Sequence, residues 1–136
     1  MQQIAFKMKL RPGYKEEYKS RHDAIWPELK ALLKEAGISD YSIYLDYETN
    51  TLFAVQSNSG KRSSQDLAGN EIIKRWWKFM ADIMETNEDL SPVTHPLENV
   101  FHMDWSWRDY LFNRCQVAMF DGNIHRAVFF PGPPRE

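Results

Sequence analysis

The sequence predicts one α+β domain, a small sheet with helices packed on it, and three observations carry that prediction. Ile4 to Leu10 and Tyr41 to Leu45 alternate apolar and polar residues with a period of two, as half-buried strands do. Tyr14 to Ala36 and Ile73 to Met84 instead repeat apolar residues at steps of three and four, the spacing of helices seated on a core. The chain's 136 residues, 43% hydrophobic and 26% charged, suffice for a single core.

The first strand is expected over Ile4 to Leu10, with Ile4, Phe6, Met8 and Leu10 on one side, and Arg11-Pro12-Gly13 ends it. A helical stripe follows through Tyr14, Tyr18, His22, Ile25, Leu29, Leu32, Leu33 and Ala36, so Tyr18 and His22 face inward. Pro27 disfavours helical geometry at Trp26 and lacks a backbone donor, which predicts a break, with a second helical piece opening at Pro27. Gly37 suits the end of that piece. Tyr41 to Leu45, a turn over Asp46 to Asn50, and Thr51 to Gln56 read as an antiparallel hairpin. Ser57 to Ser64 is polar and turn-prone, and Gly69-Asn70 precedes a helix carrying Ile73, Trp76, Trp77, Met80, Ala81 and Met84. Asn87 to Pro96 reads as loop, and Glu98 to Met103 as a last strand. The resulting β-α-β-β-α-β order fits a ferredoxin-like α+β sandwich. Helices on one side leave the other sheet face to be covered, and pairing of two copies into a dimeric α/β-barrel-type assembly would do so; a homodimer is expected.

Residues 1–103 form the expected domain, and 104–136 an atypical C-terminal extension. All nine lysines precede Phe79, whereas four of the eight arginines and the only cysteine lie in the extension. A net charge of −2 offers no field for nucleic acid, and no apolar stretch could span a membrane. A cytoplasmic protein is expected. The lone Cys115 cannot form an internal disulfide, and no Cys/His cluster has zinc-site spacing, so no metal is expected.

His22 and Tyr18 lie one helical turn apart, a pairing of imidazole and phenol suited to proton transfer. Near a helix C-terminus, His22 is expected to favour its protonated form. Trp76 and Trp77 differ by about 100° around a helix, so one is expected in the core and the other beside an opening. Aromatic walls suit a sugar, and Tyr41 adds another candidate wall. His95, His102 and His125 have no comparable neighbours in sequence, and Met80 and Met84 are assigned to the core.

Arg21 to Leu29 (R-H-D-A-I-W-P-E-L), Tyr41 to Asp46 (Y-S-I-Y-L-D), Leu52 to Ala54 (L-F-A) and Arg75 to Met80 (R-W-W-K-F-M) together resemble the L-rhamnose mutarotase family. The resemblance runs from about Ile4 to Met103. It implies a dimeric ferredoxin-like fold and an isomerase that interconverts the α and β anomers of L-rhamnose, in rhamnose metabolism, without metal or cofactor. It also implies His22 as proton donor and Tyr18, Tyr41, Trp76 and Trp77 as sugar contacts. Water, Tyr18 or a carboxylate remain open as the partner base. Two positions near the expected pocket rim depart from the family's habit: Ser64, where Trp is frequent, and Asn70, where Thr is common. A non-catalytic small-ligand or haem-binding module on the same dimeric scaffold, with His22 as ligand, is the rival reading.

Overall fold

A computed structural model describes residues 2–60 and 63–103. The expected extension at 104–136, with Cys115 and His125, lies outside the described residues. The first strand, β1 (Gln2–Lys9), is followed by α1 (Lys15–Asp23) and α2 (Pro27–Glu35), then by β2 (Ile38–Asp46) and β3 (Thr51–Asn58). A 3₁₀ turn (Ser64–Leu67), α3 (Glu71–Met80) and β4 (His95–Leu97) complete the order. The four strands form one antiparallel sheet in the order β2-β3-β1-β4. This is the expected β-α-β-β-α-β succession with its first helix in two pieces.

Local chemistry explains the breaks. Trp26 is extended (φ −60°, ψ 131°), as the residue before a proline should be, and Pro27 occupies the first turn of α2. Gly37 follows α2 at φ +82°, where a Cβ would also collide with Ser59 Oγ, so the position requires glycine. Asn70 caps α3 by accepting from the Ile72 amide at 2.9 Å. Asn70 does not border the cavity beneath the helices, contrary to the expectation that it lies near the pocket rim.

The two faces of the sheet follow from register. Phe6 pairs with Ala54 and Met8 with Leu52, while Ile43 and Leu45 oppose Ala54 and Leu52 from β2. These side chains share the helix-covered face, and Phe6, Met8, Leu52 and Ala54 are buried there with Leu29, Ile73, Trp76, Trp77 and Met80. The alternate positions Ala5, Lys7, Tyr44, Phe53, Val55, His95 and Leu97 form the other face, where Tyr44 and Phe53 are exposed.

Three expectations need correction. The last strand is His95–Leu97, not Glu98 to Met103, which has no strand structure. Pairing of Leu10 with Met84, and the hydrogen bonds from the Glu85 amide to the Lys9 carbonyl and from the Val93 amide to the Glu85 carbonyl, bring the chain to the edge of β1 early. Pro96 is tolerated because β4 is an edge strand. Secondly, α3 ends at Met80, so Met84 is buried through its bridge to Leu10 rather than through the helix. Thirdly, Ser57 and Asn58 belong to β3 and Ser64 opens the 3₁₀ turn, so the polar loop is shorter than its composition suggests.

Candidate active site

Between the covered face of the sheet and the helices lies a cavity of about 680 Å³. Its size falls in the range usual for small-molecule sites. Tyr18 and His22 reach it from α1, Tyr41 from β2, and Trp76 and Trp77 from α3, so five candidates scattered over sixty residues of sequence line one space. Met8, Leu52, Ile73, Met80 and Met84 supply apolar lining, and Ser64 joins the wall from the 3₁₀ turn.

The Tyr18 and His22 rings stack with centroids 4.2 Å apart, and the Trp76 indole meets the imidazole edge-on at 5.3 Å. His22 Nδ1 lies 3.0 Å from the Tyr18 carbonyl oxygen. A carbonyl only accepts, so Nδ1 carries a proton and donates it. In the neutral ring Nε2 is then the atom left with a lone pair. The helix-end position had suggested a protonated imidazole. The structure corrects this: burial pushes the His22 pKa below its ordinary value, and the opposing pulls of the Tyr18 carbonyl and Asp23 are smaller. Near neutral pH the ring is therefore mainly uncharged.

Both phenols are held in the opposite sense. Burial raises the Tyr18 pKa well above the usual phenol range, with the neighbouring Tyr41 adding to the effect. Burial likewise raises that of Tyr41, against a smaller opposing effect of its Ser64 contact. Neither is a base near neutral pH, which removes Tyr18 from the candidates for that role. Each keeps its proton and can donate a hydrogen bond.

Trp76 and Trp77 do not divide as expected. Both are 7% exposed, and both line the cavity. They differ in neighbours: Trp76 contacts His22, Trp26 and Phe79 through its ring. A half-enclosed cavity lets two adjacent helix positions border the same space, a geometry that helical spacing alone does not reveal.

Arg21 fixes α1 against the end of α3. Its guanidinium donates to the Phe79 carbonyl at 2.7 Å, to both oxygens of Asp82 at 2.7 and 3.1 Å, and to Glu17 at 2.8 Å. The group also sits over the Phe79 ring at 4.6 Å. The elements bearing His22 and Trp76 are thereby tied together. No pattern marked Arg21 for this role, although it adjoins His22. Gln56 too carries only a faint signal in the sequence, a polar residue at an inward position of an alternating strand, in phase with Leu52 and Ala54.

A family profile described as L-rhamnose mutarotase matches residues 3–103. An L-rhamnose mutarotase of Bacteroides thetaiotaomicron is 62% identical over 104 residues, covering 76% of this chain and all of that protein. One from Sinorhizobium fredii is 55% identical over 103 residues, covering 76% of this chain and 99% of its own. The crystal structure of an L-rhamnose mutarotase from Formosa agariphila superposes with a TM-score of 0.72 at 60% identity, covering 76% of this chain and 100% of that one. A putative antibiotic biosynthesis monooxygenase from Bordetella bronchiseptica, 14% identical with a TM-score of 0.50 over 73% of this chain and 96% of its own, shares the fold.

Proposed function

The chain belongs to the L-rhamnose mutarotase family, and on that premise we propose that it is an isomerase interconverting the α and β anomers of L-rhamnose. The observation that carries the proposal is the convergence of Tyr18, His22, Tyr41, Trp76 and Trp77 on one cavity. His22 is the proton-transfer group. Neutral Nε2 takes the proton of the anomeric hydroxyl as the bond from C1 to the ring oxygen breaks, and the imidazolium returns a proton to that ring oxygen. An open-chain aldehyde results. Rotation about the bond to C1 presents the other carbonyl face, and the same transfers in reverse close the ring. The phenols of Tyr18 and Tyr41 donate hydrogen bonds to sugar oxygens, and the indoles of Trp76 and Trp77 pack against its C–H faces.

This scheme retains proton donation by His22 but makes the donor the imidazolium formed during turnover. The family match and the resemblance to a mutarotase crystal structure support catalysis over the haem- or ligand-binding alternative. Exchange between the anomer signals of L-rhamnose, followed by NMR with and without the protein, tests the reading. Accelerated exchange is expected; exchange at the spontaneous rate would refute it.

A homodimer paired through the open sheet face is part of the same proposal. Across that face run the rows Tyr44–Phe53–Lys7–His95 and Ser42–Val55–Ala5–Leu97, a partly apolar surface that suits a second copy. We assign the catalytic domain to residues 1–103 and treat 104–136 as an extension dispensable for activity, which a chain truncated after Met103 checks by gel filtration and exchange rate. The cytoplasm is the compartment assigned, and cell fractionation tests it. Among the described residues no helix is long and apolar enough to cross a membrane.

A further inference from the structure

Behind the cavity wall, the side chain of Gln56 is fully buried and Ser64 is 5% exposed. The Ser64 amide donates to Gln56 Oε1 at 3.0 Å, which fixes the orientation of the carboxamide. Gln56 Nε2 must then donate to Ser64 Oγ, at 2.9 Å, and Gln65 Nε2 donates to the same oxygen at 3.3 Å. With two N–H groups directed at it, the Ser64 hydroxyl has its own proton left to give. The acceptor within reach is the Tyr41 hydroxyl at 3.4 Å, long for a hydroxyl pair but the contact on which the three residues converge.

We infer that Gln56 and Ser64 are positioning residues that make Tyr41 accept from the protein and so turn its phenolic proton into the cavity, toward a sugar oxygen. The inference rests on the sugar-site reading above. Donor direction runs one way, from the Gln56 amide through Ser64 to Tyr41 and then to substrate. Gln56 itself does not border the cavity. Its influence on the sugar is therefore indirect, which makes it the informative position to change.

Michaelis kinetics of anomer exchange on Gln56→Met, Ser64→Ala, Ser64→Thr and Tyr41→Phe provide the test. Tyr41→Phe is expected to raise KM on the order of tenfold, the scale of one lost hydrogen bond. Ser64→Ala and Gln56→Met should raise KM about threefold with kcat little changed, Ser64→Thr should restore it, and Ser64→Ala should add little in a Tyr41→Phe background. Unaltered KM in folded Gln56→Met and Ser64→Ala, or fully additive effects with Tyr41→Phe, would overturn the inference. Should Ser64→Ala not fold, the Gln56→Met and Tyr41→Phe pair gives the same comparison. An inactive wild-type protein would instead refute the mutarotase reading, so the two failures are distinguishable.

Discussion

The two faces of one sheet differ in what the same strands are made to do. On the covered face, Phe6, Met8, Leu52 and Ala54 are buried and border or support a cavity lined by an imidazole, two phenols and two indoles. On the other face, one residue away along each strand, Tyr44 is 66% exposed and Phe53 37%. Alternation places residues on both faces equally well; the helices decide which face excludes water. Within one protomer, chemistry that depends on desolvation, the lowered pKa of His22 above all, therefore belongs to the covered side.

The largest expected effect breaks that contrast at its chemical centre. His22→Ala should cost about 10²- to 10⁴-fold in exchange rate, the usual contribution of a positioned acid or base, while leaving the melting transition nearly in place. His22→Asn, which keeps a polar group but cannot carry a proton near neutrality, should behave alike. An active His22→Asn protein would place the proton transfer elsewhere.

Next come the paired indoles. Both are buried, so Trp76→Ala and Trp77→Ala are each expected to destabilise the fold by roughly 3–5 kcal/mol. Of the two indoles, Trp76 is the one that packs on the His22 ring among the described aromatic pairs, so its removal should also disturb the His22 NMR signal and catalysis. Equal catalytic loss in both variants at temperatures where both remain folded would deny Trp76 that special place.

On the open face, Phe53→Glu is expected to leave the fold and cavity intact while shifting the protein from dimer to monomer in sedimentation, through a charge in the proposed seam. An unchanged sedimentation coefficient would move the seam off this face. The smallest effect concerns Arg21→Lys, which keeps the charge but loses the fork that reaches Phe79, Asp82 and Glu17. A modest fall in kcat, greater than the fall in stability alone explains, is expected, and an unchanged kcat would make the clamp purely structural.

Sequence made the breaks legible because their causes are local: Pro27 restricts Trp26, Gly37 takes a positive φ, and Asn70 caps its own helix. His22, Tyr41, Trp76 and Trp77 were legible through the motifs that carry them, and Tyr18 through its place one helical turn before His22. Features set by distant neighbours were not. β4 begins at His95 because Met84 and Glu85 are already tied to Leu10 and Lys9, which no periodicity near residue 95 records. The charge state of His22 is hidden from sequence for a related reason. A helix-end effect is visible in sequence, whereas burial among elements separated by more than fifty residues is not, and in the fold burial shifts the His22 pKa downward.

Charge at that imidazole offers the most direct examination of the covered face as a desolvated acid–base site. The His22 ring can be followed by NMR while kcat/KM for L-rhamnose anomer exchange is measured across pH. In the proposed scheme the neutral ring is the base, so with its folded pKa below 6.5 activity should decline as pH falls through the His22 titration and reach a plateau on the alkaline side of it. Stability should run the same way, because below pH 6.5 the unfolded chain binds a proton at this position more readily than the folded one does. A rate that instead declines as pH rises through the His22 titration would show that the protonated ring is the resting catalyst, and would contradict the role of burial argued above.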